Sequence, residues 1–302
     1  MSTVLDWSEQ LLRTLLFVPG DQPRKLAKAA SFGADAIILD LEDAVALNRK
    51  DEARDLVRQA IPTYRNTVVM VRVNALTTGR CADDLAAVVG PGLAAVVLPK
   101  VEEPHALREV DDHLTVLERE AGLPARAVRV VPLIETARGV AQVELIAMRA
   151  PDRVLTLGFG PGDLTTDLGI DLTADATELL YARSRLVIAA RAGGLTPPID
   201  GVYLLDLTDT AGLIEDTRRG RQLGYQGRTV IYPPQIAPVN EVYSSVSPDD
   251  VARARAIVQG FEASEAAGRG ALLIGGRMVD YPIYRRAVQT LRRHAVLRAA
   301  KV

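Results

Sequence analysis

Residues 129–169 read RVVPLIETARGVAQVELIAMRAPDRVLTLGFGPGDLTTDLG, and their pattern decides the fold. Residues 130–134 are an apolar run closed by Glu135. Residues 154–159 are a second apolar run, followed by the turn Gly160-Pro161-Gly162 and then Asp163. Between them, Val140, Val143, Ile146 and Ala147 recur at helical spacing. This predicts two buried strands joined by a helix, each strand ending in an acid. Such a unit can present two carboxylates to one divalent cation.

The same alternation extends in both directions. Short apolar runs stand at residues 14–18, 36–41, 68–73 and 94–98 before this stretch, and at 198–204 and 228–232 after it. Helical patterns separate them at residues 23–33, 49–61, 81–89, 104–121, 174–192 and 210–223. Continuous apolar strands alternating with helices predict a parallel sheet covered on both faces. Eight such units predict an α/β fold of the TIM (β/α)8 barrel type. The rival is an open doubly wound sheet, but no G-x-G-x-x-G follows the first strand. The barrel is expected to occupy residues 1–246. Residues 247–302 form a C-terminal helical arm: a helix at 248–267, a turn-rich segment at 268–276, and a basic helix after Asp280-Tyr281-Pro282. The arm is too short for a generous core of its own, so it is expected to pack on the barrel or on a neighbouring subunit.

The 302 residues carry 36 Lys and Arg against 38 Asp and Glu, for a net charge of -2. That balance gives no sign of a nucleic-acid or membrane-surface partner. Three His and one Cys exclude a disulfide framework and a Cys/His zinc cluster. The first twenty residues carry Asp6, Glu9 and Arg13 without a long apolar segment, unlike a secretory signal. No run of about 18 apolar residues exists to span a membrane. A soluble cytoplasmic protein is the expectation.

In a barrel of this kind, chemistry sits at the C-terminal ends of the strands. Those positions hold Glu42, Asp43, Arg72, Lys100, Glu135 and Asp163, and none of the three His. Glu135 and Asp163 are hard oxygen donors suited to Mg²⁺ or Mn²⁺; alternatively, Glu135 serves the start of the next helix and Asp163 is an N-cap. Glu42 and Asp43 follow Asp40, and three acids exceed what capping needs. They would hold metal-bound water or position an Arg; otherwise they are a solvated loop. Arg72 inside an apolar strand needs a partner or a ligand. It suits a substrate carboxylate or enolate oxygen, and a structural pair with Asp40 or Glu42 is compatible with that role. Lys100 is open to three readings: a Schiff-base amine, a phosphate contact, or an ion pair with Glu102 or Glu103. Gly20-Asp21-Gln22-Pro23-Arg24-Lys25 sets two cations at a helix start, which favours a phosphate; a plain polar turn is the alternative.

Taken in order, LLFVPGDQPRKLAKA, ADAIILDLEDAV, VVMVRVNA, VVLPKVEEP, VPLIETARGV, GFGPGDLTTDLG and LLYARSRLVIAARA resemble the citrate lyase beta-subunit family. This is the acyl-CoA lyase branch of the HpcH/HpaI aldolase superfamily, and the likeness runs from about residue 13 to about residue 280. The resemblance implies a TIM barrel enzyme that cleaves or forms a carbon–carbon bond beside an acyl-CoA thioester, giving an acyl-CoA and a 2-oxo acid. Citramalyl-CoA, malyl-CoA and citryl-CoA are the typical substrates. It further implies that Glu135 and Asp163 are Mg²⁺ ligands, that Arg72 binds the oxo-acid oxygens, and that Glu42 and Asp43 stand behind metal-bound water. Arg24 and Lys100 resemble positions near the phosphates of coenzyme A. Asp280, in GRMVDYP, resembles an aspartate on a C-terminal arm that closes over an adjacent subunit in a homo-oligomer, a trimer or hexamer. Two alternatives are a CoA-independent metal aldolase and a citrate lyase subunit acting on a carrier-protein thioester.

Two positions depart from the family pattern. Tyr232, in IYPPQI, stands where His is usual, and FGPGD lacks the bulkier or acidic residue that often precedes the Asp.

Overall fold

A computed structural model of the chain describes residues 5–7, 10–245 and 247–299. The predicted domain limits at residues 1, 246 and 302 lie outside the described residues, as do Ala300 and Lys301 of the basic helix. The chain divides into two compact units, one within Met1–Trp7 and Leu12–Tyr243, the other within Ser8–Leu11 and Ser244–Val302.

The larger unit runs β1 (Thr14–Pro19), α1 (Pro23–Lys28), β2 (Ala36–Asp40), α2 (Lys50–Ala60), β3 (Val68–Arg72), α3 (Cys81–Val88), β4 (Ala95–Leu98), α4 (Pro104–Glu120), β5 (Arg129–Ile134), α5 (Ala137–Met148), β6 (Gly158–Phe159), α6 (Pro161–Leu168), α7 (Leu180–Ala192), β7 (Ile199–Asp200), α8 (Thr210–Leu223), β8 (Gly227–Val230) and α9 (Ile236–Ser244). The eight strands pair in parallel, in sequence order, and β8 closes on β1 through Thr14–Arg228, Leu15–Thr229 and Leu16–Val230. This is the predicted TIM barrel.

The period-2 geometry of a strand splits its apolar residues between two faces. Leu16, Val18, Ile37, Leu39, Val69, Val71, Val96 and Leu98 face the helices in the larger core cluster. Leu15, Ala36, Ile38, Met70, Ala95, Val97, Val131 and Leu133 fill the second cluster, with Trp7 and Phe17 packed against it. Both faces are buried, which is why the strands read as unbroken apolar runs.

Four elements differ from the sequence reading. The strand expected at 154–159 is interrupted: Val154 bridges Val130 and Leu155 donates to the Val130 carbonyl, but the ladder resumes only at Gly158. The turn expected after Gly160 is the start of α6, with Pro161 pre-set at its first position. The helix expected from residue 174 starts at Leu180. Before it, Thr173 binds the side chains of Asp175 and Glu178 and Ala176 is left-handed, so local side-chain bonds outcompete the helix. The short α9 was not anticipated. The smaller unit contains α10 (Pro248–Ala266), the hairpin of β9 (Leu272–Ile274) and β10 (Arg277–Val279), and α11 (Tyr281–Ala299). Gly275 and Gly276, both at positive φ, make the two-residue turn of that hairpin. Phe261 of α10 packs between Tyr281 and Tyr284 of α11.

β6 and β7 are only two residues each, so their ladder alone holds the barrel weakly there. A buried ion network spans the gap. Arg183 of α7 pairs with Asp200 of β7 and, at 2.8 Å, with Asp216 of α8. Arg228 of β8 pairs with Asp216, lies 3.5 Å from Asp200, and donates to the Gly201 carbonyl at 2.8 Å. Two cations and two anions balance, and no charge is left alone in the low-dielectric interior. Removing one member does leave one alone. Asp216→Ala is expected to lower unfolding stability by about 3–5 kcal/mol, measured by urea denaturation, with Asp216→Asn losing less.

Candidate active site

Inward-facing positions recur every second residue, and at the C-terminal mouth they turn from apolar to charged. Ala36 and Ile38 face inward on β2 and lead to Asp40; Met70 on β3 leads to Arg72; Leu133 on β5 leads to Glu135. Register therefore delivers three charged groups to one opening.

Arg72 is held from three sides. Its Nε donates to Asp40 Oδ1 at 2.7 Å and its Nη2 to Oδ2 at 2.6 Å, a two-pronged bond to a buried carboxylate. Its Nη1 lies 3.2 Å from Glu42 Oε2. The Phe17 ring of β1 lies 4.7 Å from its Cζ. The structural pair anticipated for Arg72 thus forms on Asp40 first. A guanidinium has five N–H groups, so donors on Nη1 and Nη2 remain for a ligand in the cleft that Arg72 lines with Glu135 and Asp163.

Asp40 also orders the turn beyond β2. It accepts the backbone N–H of Glu42 at 2.9 Å and of Ala44 at 3.2 Å. Lys50, in the first turn of α2, donates its ammonium to the carbonyls of Leu41 at 2.8 Å and Glu42 at 2.6 Å. Glu42 is buried while Asp43 is exposed. Burial raises the Glu42 pKa, against the opposing charges of Arg72 and Lys100. Its Oε2 has no hydrogen bond, being near Arg72 but not aligned with it.

Glu135 is buried, and its Oε1 accepts the backbone N–H of Lys100 at 2.8 Å. It does not cap α5; Thr136 does, accepting from Gly139 N–H at 3.0 Å. Gly160 lies so close that a Cβ there would collide with the Glu135 carboxylate, so the backbone at the start of α6 can cradle that acid only as glycine. Burial, then the like charges of Glu42 and Asp163, push the Glu135 pKa up to about 7. Asp163 sits in the first turn of α6. The N-cap of that helix is Gly160, so the capping role considered for Asp163 is not the one it plays.

Lys100 corrects the sequence reading. Its ammonium does not pair with Glu102 or Glu103, which face Arg138 instead. It donates to Glu42 Oε1 at 2.7 Å and lies 3.3 Å from both Asp43 Oδ2 and Asp163 Oδ2. Burial alone would lower its pKa, but these carboxylates outweigh it and raise it. A Schiff-base amine must be neutral to attack, so this environment opposes that chemistry.

Three further candidates remain. Arg24 is exposed on the six-residue α1. Tyr232 is exposed just past β8 and precedes the short turn Pro233–Gln235. Asp280, in the smaller unit, accepts the Ile283 N–H at 3.2 Å and so caps α11. Phe17, Lys50 and Gly160 were not singled out from the sequence. Lys50 had a signal: it shares the buried α2 face of Ala53 and Val57, at helical spacing. Phe17 and Gly160 had none short of the barrel register.

The donor set fits a hard divalent cation. Glu135 and Asp163 come from neighbouring strand ends, Glu42 has a buried oxygen without a hydrogen bond, and Gly160 gives Glu135 a close backbone cradle. Among the described residues no three His, Cys, Asp or Glu side chains converge into a ready-made cage. That suits an ion that takes one or two protein carboxylates and fills its shell with water and substrate oxygens.

Residues 13–233 match the HpcH/HpaI aldolase/citrate lyase family. The chain is 37% identical to citrate lyase subunit beta of Leuconostoc mesenteroides subsp. cremoris, over 94% of each protein. It is 32% identical to the mitochondrial citramalyl-CoA lyase of Homo sapiens, over 92% of this chain and 84% of that protein. The crystal structure of protein CitE from Mycobacterium tuberculosis in complex with magnesium, acetoacetate and coenzyme A superposes with a TM-score of 0.75 at 33% identity, covering 95% of this chain and 99% of that one.

A raised carboxyl pKa makes a definite pH signature. The folded-state value of about 7 exceeds the unfolded glutamate value, so the stability Glu135 contributes is present at low pH and lost as pH rises through about 7. Glu135→Gln, which keeps the acceptor for Lys100 N–H, is expected to match the wild type near pH 4, where the carboxyl is protonated in both folded and unfolded chains, and to exceed it by about 2–3 kcal/mol at pH 8, both in EDTA. Urea denaturation across that range checks it; a gap that does not grow with pH contradicts the assignment.

Proposed function

The chain belongs to the HpcH/HpaI aldolase/citrate lyase family and is a carbon–carbon lyase, and on that premise we propose that it cleaves or forms a 3-hydroxyacyl-CoA, yielding an acyl-CoA and a 2-oxo acid. The observation that carries this reading is the mouth of the barrel. It combines a forked, fixed guanidinium with two carboxylates fit for a hard cation in one cleft. Citramalyl-CoA, malyl-CoA and citryl-CoA are the substrates proposed. The name of the human relative supports the first, and the magnesium, acetoacetate and coenzyme A of the Mycobacterium tuberculosis structure support a metal, an oxo acid and a CoA thioester together.

In this reading Glu135 and Asp163 hold Mg²⁺, with Mn²⁺ as a substitute. When bound, the ion supplies Lewis-acid stabilisation of the oxo-acid oxygens. The protein's own groups do the rest. Arg72, locked by Asp40 and Phe17, offers its free N–H groups to the oxygen that changes between hydroxyl and carbonyl. Its guanidinium needs no reorganisation at that moment, because Asp40 already fixes its plane. Glu42 and Asp43 orient water at the mouth. Cleavage leaves a thioester enolate that must take a proton, and condensation removes one from the same carbon. Asp280 is proposed for that transfer, as part of a homo-oligomer; the support is the GRMVDYP resemblance. Arg24 is proposed to meet a phosphate of coenzyme A, supported by its exposure beside β1. No described helix is long and apolar enough to cross a membrane, and a cytoplasmic location belongs to the same proposal.

A second reading has its own support: the 37% identity to a citrate lyase subunit favours a thioester on a carrier protein. Turnover of free acyl-CoA by the isolated chain decides for the first reading, and turnover only with an acylated carrier decides for the second. Screening acyl-CoA and oxo-acid pairs for Mg²⁺-dependent condensation tests the substrate class. With the competent pair, Asp163→Ala is expected to lose turnover by at least about 10³-fold while its circular dichroism stays native. Full activity in that variant contradicts the metal assignment.

A further inference from the structure

The mouth of the barrel carries more negative charge than its fixed guanidinium can balance. Asp40, Glu42, Asp43, Glu135 and Asp163 gather there; Arg72 takes Asp40 in a fork and leans on Glu42. Among the described residues, the other cation in contact with these acids is the Lys100 ammonium, within 3.3 Å of three carboxylates from two strand ends: Glu42 and Asp43 beyond β2, and Asp163 beyond β6. The backbone N–H of the same residue holds a fourth, Glu135. One residue thus touches both proposed cation ligands, one through its main chain and one through its side chain.

The backbone under Lys100 adds an independent observation. Lys100 sits at φ 52°, the left-handed region where a lysine is strained and a glycine or asparagine is not. A non-glycine residue stays there only when its surroundings over-determine it. Here the N–H bond to Glu135 and the ion pairs of Nζ are what over-determine it. An ammonium aimed outward at a phosphate would not need this geometry, since all three charged contacts of Nζ lie on the acids.

We propose that Lys100 is a resident counter-cation: it balances Glu42, Asp43 and Asp163 in the metal-free protein and gives up Asp163 when a divalent cation takes that carboxylate. The ammonium has a second berth ready, because Glu42 and Asp43 are already its partners. Two positive centres cannot share one Asp163 carboxylate closely without repulsion, so the cation must displace Nζ towards that pair. Lys100 is a positioning residue in this scheme. Its ammonium keeps the acids gathered before loading, and its presence weakens the site for Mg²⁺. The inference rests on the assignment of Glu135 and Asp163 as cation ligands.

The test is Mg²⁺ binding to the full-length protein stripped with EDTA, read by isothermal titration and by melting temperature, without any turnover assay. Lys100→Met removes the charge and keeps the stem. It is expected to melt lower than the wild type in EDTA, to gain more on adding Mg²⁺, and to bind Mg²⁺ about five- to tenfold more tightly. Lys100→Arg keeps the charge and is expected to return affinity towards the wild-type value. If Lys100→Met does not fold, Lys100→Gln serves, and the same tightening is required of it. Unchanged or weaker Mg²⁺ affinity in the uncharged variant overturns the proposal while leaving the cation site standing. A wild type that binds no Mg²⁺ removes the site itself and the proposal with it.

Discussion

Like charge gathered in a partly dry opening is the constraint on which the rest of this site depends. Five carboxylates meet at the barrel mouth, and each must be paired, hydrogen-bonded, protonated or ligating. The chain answers with different devices. Asp40 takes the Arg72 fork and two backbone N–H groups. Glu42 and Asp43 take the Lys100 ammonium. Glu135 takes one backbone N–H and otherwise resists ionisation, which is why its pKa climbs to about 7. A site so arranged has a standing affinity for added positive charge, and that links its architecture to the cation-dependent chemistry proposed for it.

The same opening needs a frame that does not give way under that charge. On the side of β1–β5, the frame is the ladder itself, with long registers from Leu15–Ala36 through Leu98–Pro132. On the opposite side, the two-residue β6 and β7 cannot supply it. There the Arg183, Asp200, Asp216 and Arg228 network ties two helices and two strands, and Arg228 fixes the Gly201 carbonyl beside the residues that line the cleft. One barrel is thus closed by backbone pairing on one side and by buried ion pairs on the other.

Much of this was legible in the residues. Eight apolar runs separated by helical patterns require a parallel sheet covered on both faces, and closure in sequence order follows from their number and spacing. Charged residues at the ends of those runs marked Glu42, Asp43, Arg72, Lys100, Glu135 and Asp163, and the structure brings all six to one mouth. Weaker local signals misled. Residues 174–176 look helical, but Thr173, Asp175 and Glu178 prefer bonds to one another. Of the three readings open for Lys100, the ion pair with its sequence neighbours Glu102 and Glu103 does not form; its charge is spent on acids more than fifty residues away.

By itself, the sequence determined the fold class, the charged residues at the strand ends and the hardness of the oxygen donors proposed as ligands. Those properties depend on period, order and residue type, all of which are local. Only the tertiary structure decided who pairs with whom: Arg72 with Asp40, Lys100 with three carboxylates, Gly160 against Glu135, Lys50 on the carbonyls of Leu41 and Glu42. Closing a barrel sets the end of each strand beside several others at once. Among several acids and few cations within reach, the pairing is fixed by distances of about 1 Å, and these emerge only when all eight strands take their common register.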